Sequence, residues 1–221
     1  MDRPRRGPHC GRHPRRLPAQ AAARAHGQRG GRGPALNVKK PAGEVRIIGG
    51  QWKRTRLAVP DRPGLRPTPD RVRETLFNWL GQDLTGWHCV DAFAGTGALG
   101  LEAASRGAAQ VLLVEQDPGL VAQLQSHQRR LKADAVRVQR GDGIAALRQC
   151  APRSQHLVLL DPPFGAAQLF APALQAAREA VAEGGFIYLE APAAWSADDG
   201  GLVLHRHLKA GAVHAHLLQV Q

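Results

Sequence analysis

Cysteine is scarce in this chain of 221 residues. The three present, Cys10, Cys89 and Cys150, stand far apart, are odd in number and form no CxxC pair. That pattern excludes a disulfide framework or a zinc knuckle and suits a reducing compartment. Long apolar runs are missing as well: none approaches the roughly 18 residues of a membrane helix, and no apolar stretch of a secretory signal opens the chain. The expectation is a soluble, cytoplasmic protein with no membrane partner. Aromatic residues make up only 5%, but apolar residues reach 43%, enough for one ordinary core in a chain too short for a second full domain. Acidic residues are few, 18 against 30 lysines and arginines, for a net charge of +12. That balance points to a polyanionic partner, nucleic acid before any other.

The charge is unevenly placed. Residues 1–43 hold 11 basic side chains and one acid, residues 44–80 hold 8 and 4, and residues 81–221 hold 11 and 13. The first stretch is rich in Arg, Pro and Gly and poor in large apolar residues, so it cannot bury enough surface to order itself and reads as a disordered basic tail. It is an RNA-grasping arm, a neutral appendage, or the product of a start codon placed too far upstream; its Pro and Gly density argues against the amphipathic helix of a transit peptide. The folded domain is expected over 44–221, with basic strands and a helix in 44–80 and an α/β core in 86–221.

Within 44–80, Val45, Ile47, Trp52, Leu57 and Val59 suggest short strands around a Gly49-Gly50 turn. Thr68 then suits a helix N-cap, Pro69 the first helical position and Asp70 the positive end of the dipole, ahead of Val72, Leu76, Trp79 and Leu80 at helical spacing. After Gly86 short apolar runs alternate with helical segments. Strands are expected at Cys89–Ala94, Val111–Glu115, Ala135–Gln139, Leu157–Asp161 and Phe186–Glu190, and helices at Ala98–Arg106, Pro118–Leu131, Ile144–Cys150 and Gln168–Ala182. Such repeats predict a mostly parallel sheet covered on both faces, closed by a C-terminal antiparallel hairpin turning at Ala210-Gly211.

The first of these strands runs into Asp91-Ala-Phe93-Ala-Gly95-Thr-Gly97-Ala-Leu-Gly100, a GxGxxG turn whose backbone can approach a ligand closely. Glu115, 20 residues beyond Gly95 at the end of the second strand, is placed to accept from both hydroxyls of a ribose. A nicotinamide dinucleotide and S-adenosylmethionine share that logic, and three features favour the methyl donor. Asp91 can face a cationic amino acid group but would repel a pyrophosphate. Asp142, in the RGDG after the third strand, is placed for an adenine amino group. The fourth strand ends in Asp161-Pro162-Pro163-Phe164, for which a dehydrogenase has no evident use.

That last motif has a physical task. An exocyclic amine conjugated to a base is a poor nucleophile because its lone pair is delocalised. The Asp161 carboxylate and the Pro162 carbonyl, both accepting from the amine, would favour a tetrahedral nitrogen aimed at a methyl group. Pro162 and Pro163 add rigidity and no competing N–H, and Phe164 offers a face on which an extruded base can stack.

These residues resemble the class I S-adenosylmethionine-dependent amino methyltransferases, and more narrowly the RsmD family. The resemblance rests on RIIGGQWKRTRL (46–57), LRPTPDRVRETLFNWL (65–80), DAFAGTGALGLEAASRGA (91–108), DPPF (161–164) and FIYLEA (186–191). It implies a Rossmann-like sheet of seven strands and methylation of a guanine N2 in 16S ribosomal RNA, within the small subunit or its assembly intermediate, with no metal. Asp91, Gly95 and Gly97 would line the methionine end of the cofactor, Glu115 its ribose and Asp142 its adenine, with Phe93 also in the cofactor site, while Asp161, Pro162, Pro163 and Phe164 hold the guanine. Arg46, Lys53, Arg54, Arg56, Arg66, Arg71 and Arg73 would face the RNA. Adenine N6 in nucleic acid, a protein glutamine amide, and a non-catalytic rRNA-binding assembly role are the alternatives; the oligomeric state is open.

The hairpin has its own chemistry to weigh. A two-residue loop at Ala210-Gly211 would set His207 opposite His214 and His205 opposite His216, four imidazoles on one face that could hold zinc or nickel. Paired surface histidines are common in such strands, and no metal is expected.

Overall fold

The computed structural model describes residues 43–62, 65, 67–163, 165–195 and 201–221. The expected tail, apart from Gly43, lies outside the described residues, as do Arg66 and Phe164. Each apolar run after Gly86 becomes a strand of one sheet: β3 (His88–Asp91), β4 (Gln110–Glu115), β5 (Val136–Arg140), β6 (Gln155–Leu160) and β7 (Val181–Ala191), followed by β8 (Leu202–Ala210) and β9 (Val213–Val220). Their order is β5-β4-β3-β6-β7-β9-β8, with the first five parallel and β9 antiparallel between β7 and β8. The expected mostly parallel seven-strand sheet is therefore present. Strand order reverses between β3 and β6, the place where such sheets open a crevice beyond their carboxyl ends.

Helices α2 (Ala98–Ser105), α3 (Pro118–Leu131), α4 (Gly143–Gln149) and α5 (Phe170–Ala180) fill the crossovers. Leu157, Leu159, Tyr188 and Leu217 pack on one face of the sheet with Leu101 and Leu124, and Val158, Leu160, Ile187 and Leu189 pack on the other with Leu147 and Leu174. Strand ends differ from expectation. β3 stops at Asp91 and β6 at Leu160, so Phe93 and Asp161 stand in loops; Pro162 has no N–H with which to extend the ladder. α5 begins after a short 3-10 turn at Ala167–Leu169 and passes directly into β7 at Val181, five residues before the expected start.

The segment ahead of the sheet forms a separate antiparallel pair, β1 (Gly43–Arg46) with β2 (Arg56–Val59), and a helix α1 (Asp70–Trp79). The glycines between β1 and β2 serve docking as well as turning. A side chain on Gly50, at φ +70°, would run into the Ser105 carbonyl, while Ile48 and Gly49 donate backbone N–H to Glu102 at 2.7 and 2.6 Å. Glu102, fully buried in α2, also takes Arg73 at 3.3 Å and Arg106 at 2.9 Å. This network corrects one expectation: Arg73 does not face RNA. Its side chain is 0% exposed, spent on Glu102, Asp70 and the Thr68 carbonyl, because a guanidinium under a helix must satisfy all its donors locally. A second correction concerns Thr68, which caps no helix: α1 starts at Asp70 with Pro69 as its N-cap and no side-chain cap bond.

The hairpin is also shifted. Ala210 pairs with Val213, so the loop is Gly211-Ala212 and His207 lies opposite His216. Gly211, at φ +66°, takes the first central position of a two-residue turn, which needs that handedness. An irregularity between Leu204 and Arg206 removes His205 from the row, and its ring tilts against Phe186 instead. His207, His214 and His216 remain together, but His216 accepts from the Trp195 N–H through Nε2 and turns Nδ1 to the Leu189 carbonyl.

Candidate active site

The glycine loop leaves β3 at the switch point. Gly95 and Gly97 hold φ of +51° and +79°, and a Cβ on Gly97 would lie 2.5 Å from Leu124 Cδ2. Only glycine allows this turn to sit so close to α3. The Gly95 N–H donates to Glu115 Oε2 at 2.9 Å, while Glu115 Oε1 accepts from the Gln116 and Asp117 N–H groups at 2.8 and 2.9 Å. The expected ribose carboxylate thus stands beside the expected loop, 20 residues away in sequence. Asp142 caps α4 by accepting from Ala145 at 2.8 Å and turns its other oxygen to Gln116 Nε2 at 3.1 Å, which puts it on the Glu115 side of the loop. Phe93 is partly buried ahead of the turn.

Asp91 is 1% exposed and accepts from Gly100 N–H, in the first turn of α2, at 3.0 Å. Burial pushes its carboxyl up to about 7 despite the Gly100 and Phe93 N–H groups, and the charges of Glu115 and Glu190 push the same way. It sits beneath the loop, with its charge disfavoured until something positive approaches.

Across the crevice, Asp161 follows the last residue of β6, and Pro162 is buried behind it. Leu160 pairs with Leu189 on β7, so Asp161 and Glu190 stand abreast one step further on. Burial raises the Asp161 carboxyl well above the usual carboxylate range, followed by the charges of Glu190 and Asp91. Glu190, 3% exposed, accepts from Tyr188 Oη at 2.9 Å. Burial raises it too, opposed by hydrogen bonding from Thr68 and Tyr188. Sequence reasoning gave Thr68 a capping role only, and gave Tyr188 and Glu190, within FIYLEA, no role at the site. The signal was present in the alternation of Tyr188 and Glu190, which places both on one face of a stretch, Ile187–Ala191, otherwise buried and apolar.

Arg62, Leu65 and Thr68 reach three loops at the carboxyl edge. Arg62 pairs with Asp117 after β4 at 3.4 Å, Leu65 lies against Gly95 after β3, and Thr68 meets Glu190 at the end of β7. Of the expected RNA-facing cations, Arg46 and Arg56 are exposed but paired with Asp70 and Glu44, each at 3.0 Å. Lys53, Arg54 and Arg71 are exposed, with no ion-pair partner among the described residues. No helix among the described residues is long and apolar enough to cross a membrane.

Comparison with known proteins places this geometry. A family model described as conserved hypothetical protein 95 matches residues 45–219. The ribosomal RNA small subunit methyltransferase D of Escherichia coli strain K12 is 50% identical over 131 residues, 58% of this chain and 66% of that protein. The aligned stretch thus falls just short of two thirds of that relative. The protein of the same name from Haemophilus influenzae is 44% identical over 134 residues, 58% of this chain and 68% of its own length. Among solved structures, the putative methyltransferase yhhF of Escherichia coli superposes with a TM-score of 0.72 at 38% identity, covering 81% of this chain and 99% of that one.

Proposed function

This chain belongs to the conserved hypothetical protein 95 family, the RsmD family that its motifs resemble, and on that premise we propose that it is an S-adenosylmethionine-dependent methyltransferase of 16S ribosomal RNA. The acceptor in this reading is the exocyclic N2 of a guanine, met within the small subunit or its assembly intermediate, and the place of action is the cytoplasm. The observation that carries the reading is that β3, which leads into the glycine loop held by Glu115, and β6, which leads into Asp161-Pro162, are neighbours at the switch point.

The donor set fits the cofactor. Glu115 Oε2 takes a single N–H and keeps a lone pair for a ribose hydroxyl, Gly95 and Gly97 hold the positive-φ turn that presents backbone to a ligand, and Asp91 supplies a buried carboxyl beneath it. Phe93 and Asp142 would flank the methionine and adenine ends. When bound, the cofactor supplies an electrophilic methyl group on a cationic sulfur. The protein's own part is orientation: Asp161 and the Pro162 carbonyl accept from the amine and aim its lone pair, while Pro163 and Phe164 complete the base site. Lys53, Arg54 and Arg71, with Arg46, Arg56 and Arg66, would meet the phosphate backbone.

The test is to incubate the protein and labelled S-adenosylmethionine with small subunits from cells lacking the modification, then identify the labelled nucleoside. N2-methylguanosine is expected, and Asp161→Ala should abolish it while keeping affinity for S-adenosylhomocysteine. Label in N6-methyladenosine or in protein would replace the guanine assignment. Tight, salt-sensitive RNA binding without label would leave an assembly factor.

A further inference from the structure

Three carboxyl groups, Asp91, Asp161 and Glu190, gather with Tyr188 at the carboxyl edge of the sheet. Asp91 pairs with Leu159 and Leu159 with Tyr188, and Glu190 lies two residues beyond Tyr188 on the same face of β7; Asp161, the first loop residue after β6, follows Leu160, whose partner Leu189 precedes Glu190, and it feels the charges of both Glu190 and Asp91. Tyr188 donates to Glu190 at 2.9 Å, and Thr68, brought in from the segment before α1, supports it from the other side. Two carboxyl groups abreast, Glu190 buried and Asp161 only partly exposed, do not both ionise readily, and the proton they retain belongs to the pair.

We infer that Asp161 and Glu190 form a dyad holding one proton in the empty site, and that Glu190 is the positioning residue through which Asp161 gives up and recovers that proton as the charge of the cofactor changes. This rests on the methyltransferase reading. The donor is a cation, and its product, S-adenosylhomocysteine, is a neutral thioether. A cation in the crevice favours the doubly ionised pair, so the dyad releases its proton on binding and Asp161 becomes the carboxylate that orients the amine. In the transfer the N–CH3 bond forms and the S–CH3 bond breaks, the sulfur keeping that electron pair. The amine sheds one proton to Asp161, and the dyad is singly protonated again beside the neutral product. Tyr188 stays protonated throughout, since burial and the neighbouring Glu190 charge both oppose its ionisation.

Asp91 faces the same cation and could also exchange a proton, and Glu115 acts on Asp91, so the test must separate them. Calorimetric binding of S-adenosylmethionine and of S-adenosylhomocysteine, in buffers of different ionisation enthalpy across pH ~5.5–8.5, counts the protons each releases. The methyl donor is expected to release close to one proton more than the thioether. Its Kd should fall about tenfold per pH unit relative to that of the thioether while the dyad still holds its proton. Glu190→Gln, which keeps an acceptor for Tyr188, should remove most of that difference. Tyr188→Phe keeps both carboxyl groups but deletes a donor to the ionised form, so it should move the release to higher pH. An undiminished difference in Glu190→Gln, with no movement in Tyr188→Phe, would assign the proton to Asp91 and overturn the inference. Equal proton counts for the two compounds in the unaltered protein would overturn it alone, whereas failure of both compounds to bind would overturn the proposed function with it.

Discussion

Asp91→Asn isolates the energetic consequence of burying a carboxyl group inside a fold. The carboxyl rises from 3.8 to about 7 on folding, about 3 pK units or about 4 kcal/mol. The sign follows from proton counting. Below pH ~4 both folded and unfolded chains carry the proton and nothing is lost. Between pH ~4 and ~7 the unfolded chain is ionised while the folded one is not, so stability falls as pH rises, by about 1.4 kcal/mol per unit at most. Above pH ~7 the full penalty stands. Asparagine removes it but accepts through one oxygen only, so either the Gly100 or the Phe93 N–H loses its partner, at about 1–3 kcal/mol. Urea denaturation of both proteins without cofactor, across pH ~4.5–8.5, should therefore find Asp91→Asn more stable by about 1–3 kcal/mol at the alkaline end. The advantage should vanish or reverse at the acid end, and cofactor affinity should be lost throughout. A stability difference that does not change with pH would refute the argument, because Asp91 would then carry its charge inside the fold at little expense.

Other expectations follow from the same geometry. Arg73→Met should destabilise the protein by about 3–5 kcal/mol in chemical denaturation, since it strands the fully buried Glu102 with a single cation. Lys53→Ala or Arg71→Ala should leave Tm unchanged, weaken rRNA binding at all sequences and lower the slope of log K against log salt by about 1 each. Gly97→Ala, forced to hold φ +79° against Leu124, should destabilise by about 1–3 kcal/mol and cut cofactor affinity, read by melting and calorimetry. Protein without a His-tag, dialysed against zinc, should retain no stoichiometric metal, because both ring nitrogens of His216 are already engaged.

The parallel core was legible because its strands are buried on both faces, which leaves short continuous apolar runs bounded by glycine and proline. Their ends were not, since Asp91 and Leu160 stop where the loops must turn toward a ligand, and no periodicity marks that point. The glycine loop, Glu115 and Asp161 could be read because their spacing is local to single βα units. Arg73 and Thr68 could not. Sequence pattern gives a helical arginine an exposed reading and a threonine before proline a capping one, and only tertiary contacts with Glu102 and Glu190 decide otherwise. The hairpin register failed for a smaller reason: the loop was centred one residue early, and moving Gly211 to the first turn position re-paired every histidine.

Those missed residues are linked to one another. Glu102 lies in the helix that follows the glycine loop and holds Arg73; Arg73 holds the Thr68 carbonyl at 3.1 Å; Thr68 reaches Glu190, which stands beside Asp161. The same Glu102 anchors the Gly49 turn through backbone N–H groups, so the basic strands that would meet RNA share a rigid support with the groups that would meet cofactor and base. A buried ion network is weak evidence for stability, because its desolvation offsets most of its attraction. Its use here is fixation. The N-terminal segment already grips the sheet through Ile47, Leu57, Leu76 and Phe77, all fully buried in the same core, but apolar contact tolerates several docking geometries, whereas a hub with several oriented donors allows one. On this argument a conservative change at the hub, Glu102→Gln, should loosen the N-terminal segment before it unfolds the sheet. Amide exchange should then rise first at Ile48, Gly49 and Trp52, while Val90 and Val158 keep their protection. Simultaneous loss of protection in both sets would show instead that hub and sheet unfold as one unit.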